Sequence, residues 1–276
     1  MSFAFTNSRR LLKSHGATSL LRGWLLRFVI SIKMIHAKQL LFDLDDTLWD
    51  TYHNNKHALS ILYEKHGWSA FFSSFEAYFA LYMPHCNHLW HLYRTGVINK
   101  QSLTIARLAY PLHLAGQSVT AEQMLALNDE FMALVKCETA CVEGALDMLA
   151  LLKPHFKIYI ITNGWTEVQS AKLNKSGIAP YVDRVFISEQ IGCHKPDPQF
   201  FHAVLTATNS RKSESVVIGD SWHADIAGAA AYGLRAIWFN PQHEPLPESF
   251  DPAPLIVTSL DQIPPLLLPP SPIPIS

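Results

Sequence analysis

From Lys38 onward the chain alternates short apolar runs with longer stretches of helical spacing. The runs are Lys38–Leu44 (KQLLFDL), Lys157–Thr162 (KIYIIT), Arg184–Ile187 (RVFI), Ser215–Gly219 (SVVIG) and Arg235–Phe239 (RAIWF). The first ends in acidic residues, as a buried parallel strand does when its C-terminal end meets a site. Between the runs, Ala145–Lys153, Glu167–Ser176, Asp197–Thr208 and Ala224–Tyr232 read as helices. Strands and helices in alternation predict an α/β fold with a doubly wound parallel sheet. Right-handed crossovers then put helices on both faces.

The segment Thr51–Ala140 breaks this rhythm. It has almost no strand-like run, but helical apolar spacing appears at Leu59, Leu62 and Tyr63, around Phe79–Tyr93, and at Met124–Val135. Inserted straight after the first strand, such a block predicts a helical cap over the sheet edge. The expected organisation is therefore a core of residues 34–50 and 141–262, a helical cap at 51–140, and a proline-rich tail at 263–276. One last strand is expected at Leu255–Val257, with Pro264–Ser276 extended or disordered. Residues 1–33 carry Arg9, Arg10, Lys13, Arg22, Arg27 and Lys33 with no acidic residue. Their apolar run, Trp24–Ile32, is interrupted by Arg27 and far too short to span a bilayer, and no clean cleavage site follows it. An organelle-type presequence and a non-native extension ahead of a start at Met34 both account for this stretch. The second is favoured, and either way the stretch is expected outside the fold.

Composition narrows the function classes. Net charge is −1 and the hydrophobic fraction 49%, which suits a well-filled core and advertises no nucleic-acid polymer as partner. No membrane partner is expected; a small anionic substrate, needing only a few local charges, is compatible. The four cysteines, Cys86, Cys137, Cys141 and Cys193, form no C-x-x-C pair. Reduced thiols in a cytoplasmic protein, monomeric or homodimeric, are the simplest expectation.

The most informative segment is FDLDDTLWD at 42–50. Asp43 and Asp45 stand two apart at a strand end, where both can turn toward one site. A helix N-cap cluster explains Asp46 or Thr47 but not two further carboxylates beside an apolar strand. Such carboxylates repel each other, and a divalent cation relieves the repulsion. FDLDDT at 42–47, IITNG at 160–164, CHKPDP at 193–198 and VIGDSWHAD at 217–225 resemble, in order, the four motifs of the haloacid dehalogenase superfamily. The resemblance covers Gln39 to Asn240.

That resemblance implies a fold and a set of roles. Asp43 would be the nucleophile and Asp45 the acid–base. Thr162, with the amides of Asn163 and Gly164, would bind phosphoryl oxygens, and Lys195 would offset charge over the phosphate. Mg²⁺ would be held by Asp43, Asp220 and the backbone carbonyl of Asp45, with Asp225 ordering its outer shell. Asp45 argues for phosphoryl transfer, because the namesake dehalogenases usually lack an acid at that place; a mutase keeps it and stays open. The segments ISEQIGCHKPDPQFFHAVL at 187–205, GDSWHADIAGAAAYGLRAIWFN at 219–240 and LWHLYRTGVINKQSL at 89–103 are similar to bacterial pyrimidine 5′-nucleotidases. The expected substrate is accordingly a nucleoside 5′-monophosphate, with FMN or a sugar phosphate as alternatives.

Other residues carry weaker signals. Trp49 and Trp165 can stack on a substrate ring or pack in the cap–core seam. His85, His88 and His91, with Cys86, form either a zinc site or the polar face of a cap helix, and the polar face is the expectation. His53 and His57, four apart, carry a similar weak signal. A non-catalytic binding protein on the same fold is the rival from another class, and it predicts loss of Asp43 or Lys195. Neither is lost.

Overall fold

The computed structural model describes residues 35–247 and 254–269. Six strands form one parallel sheet: β1 Gln39–Phe42, β2 Lys157–Thr162, β3 Arg184–Ile187, β4 Ser215–Gly219, β5 Arg235–Phe239 and β6 Leu255–Val257, in the order β3-β2-β1-β4-β5-β6. β1 lies centrally, with Leu41 in register with Tyr159 on one side and Val217 on the other. Leu40, Leu41 and Phe42 are fully buried, as are Val216, Val217 and Ile218. These runs therefore read as apolar throughout rather than alternating. The strand order reverses at β1. In an open α/β sheet this opens a crevice at the carboxyl ends of the strands, where ligands bind.

β1 stops earlier than the apolar run predicts. The Asp43 amide still donates to the Ile218 carbonyl at 2.9 Å, but Leu44 is already in a turn whose carbonyl accepts from Leu48 and Trp49. Between β1 and the rest of the sheet the chain is helical: α1 Thr51–Lys65, α2 Phe75–Arg94, α3 Lys100–Leu114 and α4 Ala121–Val135. Side chains cap all four starts. Asp50, Ser74 and Asn99 accept from the third residue on, and Thr120 with Gln123 makes a reciprocal capping box, which satisfies amides that have no partner within the helix. The two crossings between this block and the sheet lie side by side. Asp50 donates to the Ala140 carbonyl (3.1 Å), Val142 to Leu48 (2.9 Å), and the Asn54 side chain closes on both backbone groups of Ala140.

The sheet is flanked by α5 Ala145–Leu152, α6 Thr166–Lys175, α7 Ser188–Ile191, α8 Pro198–Thr208 and α9 Gly228–Tyr232. The helix expected from Ala224 begins instead as a π-helical stretch, Trp222–Ala227. There the Ser221 carbonyl accepts from both Asp225 and Ile226. The wider turn lets the Asp225 carboxylate fold back onto the Ser221 amide at 3.1 Å; such turns concentrate at functional sites.

The proline-rich tail departs from expectation. Ile263–Leu267 is a helix, α10, with Ile263, Pro264 and Leu267 buried. Prolines in a first helical turn lack only amides that would have had no partner, and Ile263 and Leu267, four apart, seat one face on the core. The N-terminal extension expected at residues 1–33 and the end of the tail at 270–276 lie outside the described residues. Among the described residues no helix is long and apolar enough to cross a membrane.

Candidate active site

The carboxyl ends of β1, β2 and β4 and the loop after α7 converge on one cavity of about 240 Å³. Asp43, Asp45, Thr162, Asn163, Gly164, Lys195, Asp220 and Asp225 all line it. The turn after β1 is tight: Asp46 takes a positive φ of 62°, and its amide donates to the Trp49 carbonyl at 2.8 Å. Thr47 is no helix cap; that task falls to Asp50. The fully buried Thr47 hydroxyl donates to Asp220 Oδ1 at 2.8 Å and accepts from the Asp220 amide at 3.0 Å. It ties the loop after β1 to the loop after β4.

Lys195 is the electrostatic centre. Only 1% exposed, its ammonium donates to Asp43 Oδ1 and Asp225 Oδ1, both at 2.6 Å, and to the Ile161 carbonyl at 2.7 Å. Burial disfavours its charge, but the charges of Asp225 and Asp43 outweigh that and hold its pKa above the usual lysine range. The side chain of Asn163, a residue expected to act only through its backbone amide, clamps the backbone of Lys195. Its Nδ2 donates to the Lys195 carbonyl and its Oδ1 accepts from the Lys195 amide, each at 2.9 Å. Behind Lys195 the packing is tight. A Cβ on Gly228 would lie 2.8 Å from the Pro196 Cα.

Burial, followed by the neighbouring Asp225 and Asp45 against the pull of Lys195, raises the Asp43 pKa to about 7. Burial and then repulsion from Asp43, Asp225 and Asp46 push Asp220 well above the carboxylate range. One oxygen each of Asp43, Asp220 and Asp225 lie within 4.8 Å of one another. A set of hard oxygen donors that resist sharing negative charge fits a small divalent cation such as Mg²⁺. Asp225 is the least available of the three, because Lys195 takes one oxygen and the Ser221 amide the other.

Asp45 sits in a separate network that the motifs did not disclose. It accepts from Lys172, from Gln169 Nε2 at 2.9 Å and from the Thr51 hydroxyl at 3.0 Å. Burial favours its neutral form, yet the Lys172 charge and these donors together hold its pKa below the usual value. Gln169 also donates to the Thr162 hydroxyl at 2.7 Å, which in turn accepts from the Gly164 amide at 2.9 Å. The Gly164 amide expected to face a phosphoryl oxygen is thus engaged with Thr162. Gln169 and Lys172 were detectable in principle: they are polar residues among the buried positions Val168, Gln169, Lys172 and Leu173 of α6.

Of the weaker candidates, Trp49 is fully buried in the seam with the Lys172 ammonium 4.1 Å from its ring centroid. Trp165 packs with Leu89, Leu103 and Val168 and also lines the cavity. His88 and His91 are exposed on α2, and His85 stacks on Tyr110 with centroids 3.9 Å apart. His53 and His57 pair with Asp50 and Glu138. Among the described residues the acidic trio is the one group of three metal-ligating side chains that converges.

Comparison with known proteins agrees with this geometry. The sequence model of haloacid dehalogenase-like hydrolases matches residues 37–233. The chain is 35% identical over 208 residues to the pyrimidine 5′-nucleotidase PynA of Streptococcus pneumoniae, covering 75% of this chain and 85% of that protein. It is 28% identical over 229 residues to the pyrimidine 5′-nucleotidase YjjG of Escherichia coli, covering 83% and 96%. A crystal structure of the HAD-hydrolase YfnB of Bacillus subtilis, bound to magnesium, superposes with a TM-score of 0.74 at 26% identity, covering 83% of this chain and 97% of that one.

Proposed function

The chain belongs to the haloacid dehalogenase-like hydrolases, and on that footing we propose that it is a magnesium-dependent phosphatase of nucleoside 5′-monophosphates, with pyrimidine nucleotides preferred. The observation that carries this reading is the buried ammonium of Lys195 at 2.6 Å from both Asp43 and Asp225, at the point where the strand order reverses. The likeness to two pyrimidine 5′-nucleotidases supports the choice of leaving group.

In this reading Asp43 attacks phosphorus through a carboxylate oxygen, and the bond from phosphorus to the ester oxygen breaks. Lys195 offsets the charge of Asp43 and orients it. Asp43, Asp220 and the Asp45 carbonyl would hold Mg²⁺, with Asp225 behind them, and the ion supplies positive charge against a dianionic ester. The departing oxygen takes a proton from Asp45. Water then attacks the aspartyl phosphate, giving its proton to Asp45 and releasing Asp43 and inorganic phosphate. The Lys172 contact favours the ionised Asp45 that this second half needs. Proton donation in the first half requires that contact to loosen. The helices between β1 and α5 act as the cap that closes over the leaving group. Four free thiols support a cytoplasmic setting.

Phosphate release from UMP, dUMP, dTMP, FMN and hexose phosphates, with magnesium and with EDTA, tests the reading. Pyrimidine nucleotides should dominate, EDTA should abolish turnover, and Asp43→Asn should be inactive yet folded. Dominant hydrolysis of FMN or a hexose phosphate would overturn the substrate assignment. An active Asp43→Asn would overturn the mechanism.

A further inference from the structure

Arg107 stands where an apolar residue belongs. It follows Leu103 and precedes Leu108 on the buried face of α3, and is 3% exposed. Taking a guanidinium out of water is costly unless its charge is paired and its N–H groups find acceptors. Among the described residues no carboxylate forms an ion pair with it. Its polar partner is the neutral amide oxygen of Asn128, and its Nε has no acceptor at all. The rings of Phe131 and Trp165, with centroids 5.1 and 4.9 Å away, soften the cost through their π faces. They supply no hydrogen-bond acceptor in the ring plane.

Arg107 lines the same cavity as Asp43 and Lys195. Apolar and aromatic side chains wall it, with Met132, Val135, Trp90 and Trp165 among them; the amides of Asn55 and Asn87 and the half-buried guanidinium of Arg94 also border the space. A second phosphate on the substrate would need several charged donors and solvent to satisfy its oxygens. The Arg107 guanidinium, buried between two aromatic faces, suits a flat, neutral ring bearing a carbonyl oxygen.

We propose that Arg107 is the specificity-determining residue of the cap, its guanidinium donating a hydrogen bond to a ring carbonyl of the pyrimidine base while Trp165 contributes an apolar wall. This rests on the nucleotidase reading above and adds to it the residue that recognises the base. A bond from a charged donor to a neutral acceptor in a dry pocket changes binding by about 10- to 100-fold.

The test compares kcat/KM for UMP and for ribose 5-phosphate, which keeps the sugar and ester but lacks the ring, in the wild type, Arg107→Gln and Arg107→Lys. The UMP to ribose 5-phosphate ratio should fall about 10- to 100-fold in the glutamine variant. The lysine variant, which keeps the charge without the planar fork, should restore only part of it. A structural role would lower both substrates alike and leave the ratio unchanged, and that result overturns the proposal while the nucleotidase reading stands. Should Arg107→Gln fail to fold, the ratio in Arg107→Lys decides in the same way. A wild type that hydrolyses other esters but not UMP overturns both.

Discussion

Replacing Lys195 by Met should cost the protein far more stability than removing an ordinary core side chain, and the cost should depend on which carboxylates remain. The ammonium neutralises two carboxylates at 2.6 Å each, in a group whose oxygens lie within 4.8 Å of one another. At an effective dielectric of about 20, two like charges about 4.8 Å apart repel by about 3.5 kcal/mol. Breaking a buried ion pair costs roughly 3–5 kcal/mol, so the two routes agree. In a domain of this size that corresponds to a fall in Tm of roughly 6–20 °C. The informative comparison is with Asp225→Asn. In the wild type this change removes a partner of Lys195 and should destabilise; in Lys195→Met it removes an unpaired buried charge and should stabilise. Thermal unfolding by circular dichroism in EDTA, on the wild type, both single variants and the double variant, reads the coupling directly. A Lys195→Met loss below about 1 kcal/mol, or the same sign for Asp225→Asn in both backgrounds, would refute the assignment of Lys195 as the charge that holds the site together.

Two further outcomes follow from contacts elsewhere in the site. A Cβ on Gly164 would lie 1.8 Å from Gln169 Nε2 and 3.1 Å from Asp45 Oδ2, so Gly164→Ala should expel Gln169 from its bonds to Asp45 and Thr162 and lower kcat by about tenfold or more with little change in Tm; unaltered kinetics would remove Gln169 from the mechanism. Between the helical block and the sheet domain, Lys100 on α3 pairs with Glu167 at 2.8 Å and with Glu189 at 2.9 Å. Burial raises the Glu189 pKa, but the Thr166 amide and Lys100 lower it by more, leaving it below its ordinary value of 4.5. A depressed folded-state pKa contributes stability that is complete above 4.5 and is lost as pH falls through the folded value. Melts from pH 3 to 7 should therefore be flatter in Glu189→Gln than in the wild type, and a steeper profile would contradict the pairing.

The parallel strands were legible because burial on both faces leaves an unbroken apolar signature, as in KIYIIT and SVVIG, and their ends coincide with β2 and β4. Three of the four motifs were legible because each closes such a run; the third, around Lys195, follows the short helix α7 instead. What escaped the sequence was the pairing across distance. Lys172 and Asp45 are 127 residues apart, and nothing in the spacing of either assigns one to the other. Nothing in the sequence marked Arg107; its burial appears only where Phe131 of α4 and Trp165 enclose it. The helix at Ile263–Leu267 was masked by its prolines, which mark irregular chain in most settings and a first helical turn in this one. The side chain of Asn163 escaped for a similar reason: Asn-Gly reads as a turn, and its clasp on Lys195 exists only once the loop after α7 has folded against β2.

The Thr47 hydroxyl gives the site a built-in gauge. Because it bridges to both the amide and the carboxylate of Asp220, the gap between the β1 and β4 arms is held by the protein alone, before any ion arrives. Little of an ion's binding energy need then go into ordering the arms. An ion held by Asp43 and Asp220, as proposed, would therefore meet arms already tied together by these two hydrogen bonds.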